Sequence, residues 1–79
     1  MDPIAERAIA LVDADREEAI QELIQLAGGR RAPLDSARDA LVARLSRTSE
    51  DFEATRALRL VTIALQRVGW EPTSTAHRT

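Results

Sequence analysis

Cysteine, lysine and tyrosine are absent from this 79-residue chain, and histidine, phenylalanine, tryptophan and methionine occur once each. Each gap removes a class of chemistry. Without cysteine there is no disulfide and no thiolate to act as ligand or nucleophile. A single histidine, His77, cannot build a structural zinc site by itself. Ser36, Ser46 and Ser49 have no lysine or second histidine to serve as base, and no glycine-rich turn offers an oxyanion hole. The closest acid pairs, Glu17 with Glu18 and Asp13 with Asp15, point to different sides of a helix and do not converge on one ion. The chain is therefore expected to be no enzyme, with no catalytic, metal or cofactor residues and no small-molecule substrate.

Long apolar runs are also missing. No stretch approaches the roughly 20 residues that span a bilayer, and no basic segment leads into an apolar one. A cytoplasmic protein without membrane contact is the expectation.

What remains is the composition of a helical protein. Hydrophobic residues make up 44% and charged residues 30% of the chain, with Ala, Leu, Arg, Glu and Gln dominant and no alternating strand pattern. The fold class is all-α, with residues 1–70 as one helical domain and the polar 71–79 as a disordered tail. A core this small supplies only a few kcal/mol of net stability, so association with a second copy would be a natural supplement.

The three glycines and three prolines punctuate the helices. Asp2 and Pro3 open the first, as cap and first helical residue. Two amphipathic stripes follow, Ile4 to Val12 and Ala19 to Ala27, rotated by roughly 60° from each other if the helix ran unbroken. Asp15 with Glu18 three residues on has the spacing of a capping box, which predicts a turn near 13–15. Gly28–Gly29 stops the second helix. Pro33 or Asp35 starts the third, whose apolar face is Leu34, Ala37, Leu41, Val42 and Leu45, with Arg38 at its margin. Thr48–Ser49–Glu50–Asp51 starts the last, and Gly69 with Pro72 ends it, Trp70 folding back on Leu65. The predicted bundle has four helices in two αα-hairpins, at about 3–13, 16–27, 33–46 and 50–68. Three helices result if 3–27 is continuous.

The 50–68 helix is the centre. Ala54, Ala57, Leu58, Leu60, Val61, Ala64, Leu65 and Val68 fall within roughly 160° of arc, wide enough to meet more than one neighbour. Asp15–Ala19 and Glu50–Ala54 align at an offset of 35 residues, with Leu23 facing Leu58 and Leu26 facing Val61. Over Asp15 to Leu26 this resembles the turn and second helix of a tetratricopeptide repeat, but that family's small Gly/Ala and large Tyr/Phe positions are not present. The echo is therefore read as two hairpins and not as membership.

Charge is unevenly spread. Residues 1–29 carry two arginines against seven acids, a net −5, and residues 30–79 carry nine arginines against six acids, a net +3. All eleven basic residues are arginine, which suits recognition of carboxylates and phosphates. Arg38, Arg44, Arg47, Arg56 and Arg59 flank the last turn in a layout like a helix-turn-helix, which makes a nucleic-acid-binding or transcription-regulatory protein the alternative reading. Glu50, Asp51 and Glu53 at the reading tip oppose it, since they would repel phosphates. The favoured reading is a protein–protein interaction module. Phe52 and Ile63 intrude into the polar side of the 50–68 helix among Arg56, Arg59 and Arg67, and an apolar centre ringed by arginine is the pattern of an interface. The expected partner is a second copy, as a homodimer through this helix, or another protein.

Overall fold

A computed structural model describes the backbone of residues 2–75 and the side chains of residues 2–69. It has four α-helices: α1 Pro3–Ala10, α2 Arg16–Leu26, α3 Arg31–Arg47 and α4 Phe52–Thr75. The all-α bundle expected from composition is the fold.

The first turn forms because local donors and acceptors are satisfied there. The Asp2 carboxylate accepts from the Ile4 and Ala5 N–H groups at 2.9 and 3.1 Å, and Pro3 takes the position that needs no donor. α1 ends at Ala10, three residues earlier than the periodicity suggests, because the Leu11 N–H is shared between the Arg7 and Ala8 carbonyls in a tightened last turn. A turn over residues 11–14 follows, and the Asp15 side chain caps α2 by accepting from the Glu18 N–H at 3.1 Å. This break reconciles the two offset stripes. Ile4, Ala5 and Ala8 from α1 and Ala19, Ile20 and Leu23 from α2 all reach the same core.

The exit from α2 needs two residues in left-handed conformation. Gly28 and Gly29 have φ of 66° and 72°, and the Gly29 N–H reaches the Ile24 carbonyl at 3.0 Å in a Schellman-type closure. α3 begins at Arg31, two residues before Pro33. The proline sits in the first turn, where its missing N–H removes no helical bond. α4 begins at Phe52, and its cap is Asp51 and not the hydroxyls of Thr48 or Ser49. The Asp51 carboxylate accepts from the Ala54 N–H at 3.1 Å and from the Arg44 guanidinium, which ties the last turn of α3 to the first of α4.

The far end of α4 differs from expectation. Gly69 stays within the helix, and α4 passes Pro72 to end at Thr75. The Arg31 side chain lies across α4 at this point, with its Nη1 2.5 Å from where a Cβ on residue 69 would stand, a flexible tip that can shift aside. Pro72 removes one helical N–H, a local loss tolerated within a turn of the helix end. The expected contact of Trp70 with Leu65, and residues 76–79 with His77, lie outside the described side chains.

α4 is the hub. It packs on α1, α2 and α3, most extensively on α3. Its buried residues, Ala54, Ala57, Leu60, Val61, Ala64, Leu65 and Val68, span roughly 140° of arc. Alanine dominates the contact. Ala5, Ala8, Ala19, Ala27, Ala37, Ala54, Ala57 and Ala64 are all buried, and the largest fully enclosed side chains are Ile20, Leu23, Leu34, Leu41 and Val61. Small side chains let the helices approach toward the short end of the usual 8–10 Å range. They also bury little apolar area per residue, so the core is thin. Two residues assigned to core faces are outside it: Val42 is 46% and Leu26 53% exposed. Val42 lies at the edge of the α3 stripe, next to the fully buried Leu41.

Candidate interaction surface

The expected surface residues Phe52, Arg56, Arg59, Ile63 and Arg67 all lie on the side of α4 away from its buried arc, but they are not equivalent. Phe52, at the first position of α4, is 75% exposed, the most exposed large apolar residue among those described. Ile63 lies on the same line three turns further on, about 16 Å along the axis. It is half-buried and packs against the edge of the core. Between and beside them, Thr55, Leu58, Arg59, Thr62 and Gln66 complete a shallow depression with Ile63, of about 340 Å³. The Thr55 and Thr62 hydroxyls donate to the carbonyls of Asp51 and Leu58 at 3.1 and 2.8 Å. Their donors are therefore used within the helix, and the strip presents more apolar character than its composition suggests.

The arginines divide by partner. Arg67 donates two hydrogen bonds to the Glu17 carboxylate, at 2.6 and 2.9 Å, clamping α4 to the first turn of α2. That fork, with a further bond from the Gln21 amide, holds the Glu17 carboxyl down to about 2 from its ordinary 4.5. Arg56 stands 3.6 Å from Asp13, with both side chains largely exposed. Arg59 makes no ion pair among the described residues. The oppositely charged halves of the chain thus meet within one molecule: Glu17 and Asp13 from the acidic half hold Arg67 and Arg56 from the basic half, while the Arg7–Glu22 pair lies within the acidic half.

One further residue joins this face. Arg16, the first residue of α2, lines a cleft of about 460 Å³ with Val12, Ala14, Arg56, Arg59 and Leu60. No sequence signal marks Arg16, because its position follows from the turn at residues 11–14 that swings the start of α2 over α4. Among the described residues no three acidic or histidine side chains cluster as a metal site, and no helix is long and apolar enough to cross a membrane. No family model, no curated protein and no solved structure matches this chain.

Proposed function

We propose that this chain is a small helical interaction module that self-associates as a homodimer through the outer face of α4. The observation that carries the reading is the apolar line left uncovered there, with Phe52 at one end and Ile63 in the depression three turns away. A two-fold axis lets one such patch serve both copies. An antiparallel crossing midway between the two residues sets each copy's Phe52 against the other's Ile63. Two arginine-bearing faces would ordinarily repel, but Asp13 and Glu17 offset the charge of Arg56 and Arg67, leaving Arg59 as the main excess. The thin alanine core supplies a motive, since a second copy adds the apolar burial that the monomer lacks. The nucleic-acid alternative has less support: Asp51 at the tip of α4 is committed to its cap, and Arg7, Arg44, Arg56 and Arg67 face carboxylates of the chain itself.

The test is sedimentation of the wild type beside Phe52→Ser and Ile63→Glu. Both substitutions are expected to shift the mass toward the 8.7 kDa of one chain while far-UV circular dichroism stays unchanged. Because Ile63 also touches the core, the exposed Phe52 is the decisive position. A Phe52→Ser protein as associated as the wild type overturns the reading.

A further inference from the structure

The cleft between the residue 11–14 turn and α4 concentrates positive charge that the described residues leave largely unpaired. Arg16 comes from the start of α2, and Arg56 and Arg59 from successive turns of α4. Arg16 and Arg59 make no ion pair among the described residues. Arg56 has one loose partner, Asp13 at 3.6 Å, whose side chain is 90% exposed. An ion pair that open contributes little and exchanges readily with solvent or a competing anion. Asp13 therefore acts as a built-in stand-in: a single carboxylate resting at the mouth of a cleft that offers three guanidinium groups. The cleft is not purely ionic, because Val12, Ala14 and Leu60 form an apolar side to it, with Leu60 buried and Val12 half-buried.

We propose that this cleft binds a short acidic segment of another protein, two of its carboxylates engaging Arg16 and Arg59 and an apolar side chain between them seating on Val12 and Leu60. Arginine's planar donor fork matches a carboxylate in bidentate fashion, and the apolar side would be wasted on a bare inorganic anion. A polyphosphate backbone fits less well. It would run on past the cleft toward Asp13, which pairs with Arg56 there, and Asp15, which flanks the lining residues Ala14 and Arg16 in the chain, whereas a short peptide needs to place only two charges inside. The site shares Arg59 with the self-association face and is told apart from it by Arg16, which belongs to α2.

The experiment uses the intact chain and a fluorescein-labelled hexapeptide, Glu-Leu-Glu-Glu-Leu-Glu, followed by anisotropy at low salt. Saturable binding is expected, weakened about tenfold or more by the double substitution Arg16→Gln with Arg59→Gln. The charge-matched control, Arg30→Gln with Arg47→Gln, removes two exposed arginines elsewhere and is expected to bind as the wild type does. Asp13→Asn removes the internal competitor and is expected to tighten binding several-fold. Three results would each overturn the proposal: no saturable binding, equal loss in both double variants, or equal affinity for a peptide with serine in place of leucine. Displacement of the peptide by an equimolar concentration of inorganic phosphate would reassign the cleft to phosphate and also overturn it. Phe52→Ser, at a position that lines neither the cleft nor its arginines, leaves this binding intact, so failure of the dimer and failure of the cleft are read separately.

Discussion

Leu41 and Val42 are neighbours on α3 with similar hydropathy, and the fold assigns them opposite weights. Leu41 is fully buried and Val42 is 46% exposed. Truncating Leu41 to alanine removes three carbons from water-free surroundings, worth about 2.4 kcal/mol by transfer. The unfilled space adds to this, for a total of about 2.7–5 kcal/mol. A domain of this length has roughly 4–12 kcal/mol in all, so Leu41→Ala is expected to remove about a quarter of it or more. Val42→Ala deletes two methyl groups that are already half in water, and alanine's better helix propensity returns up to about 0.6 kcal/mol. The expected net change there is within about 0.5 kcal/mol. Urea unfolding followed at 222 nm separates the two. With a slope near 1 kcal/mol per molar for so small a chain, the Leu41→Ala midpoint is expected to fall by roughly 3 M, or the protein to be unfolded from the start. An equal loss in Val42→Ala would refute the reasoning, because it would mean that something covers Val42.

Two further predictions concern glycine and acid. Gly28 and Gly29 hold left-handed backbone, so Gly28→Ala is expected to cost about 1–2 kcal/mol, whereas Gly69→Ala displaces only the mobile end of Arg31 and is expected to stabilise α4 by up to about 1 kcal/mol. Thermal melts check both, and two changes of the same sign would contradict the reasoning. Arg67 holds the Glu17 carboxyl down to about 2, Arg7 lowers Glu22, and the Ala54 N–H and Arg44 lower Asp51. The folded chain thus binds fewer protons than the unfolded chain in mild acid. The stability these contacts contribute is complete above the ordinary carboxylate value of 4.5 and is lost as pH falls from there through about 2. Glu17→Gln should flatten part of that fall, less so in high salt, since the pair is exposed. Parallel pH profiles for wild type and variant would show that the Glu17–Arg67 contact contributes nothing.

Much of the fold was legible because its signals are local. Asp15 with Glu18, the Gly28–Gly29 pair and the breadth of the α4 apolar arc each fix a cap, a stop or a packing face within a few residues. What was not legible depends on distant neighbours. Gly69 reads as a helix stop from its own surroundings, yet α4 runs through it. Val42 and Leu26 carry the right periodicity, yet about half of each stays exposed. At the candidate surface, Phe52 and Ile63 were visible as intruders in a polar stripe. The commitment of Arg67 to Glu17, fifty residues away in sequence, was not, and neither was the arrival of Arg16 beside Arg56 and Arg59. Both follow from how the 11–14 turn lays α2 across the hub.

The missing cysteines allow the central claim to be tested with one label. A Gln66→Cys protein carries a single thiol, and a spin label there reports only distances between copies. In the antiparallel dimer with Phe52 against Ile63, the two labelled positions are offset by 17 residues. That is about 25 Å along the axis, and roughly 25–35 Å once the spacing between helices and the reach of the label are added. Dipolar spectroscopy at concentrations above about 100 μM, where a dimer of micromolar affinity is nearly complete, is expected to show that distance. Absence of any dipolar modulation, or a distance below about 20 Å from a parallel pair, would contradict it.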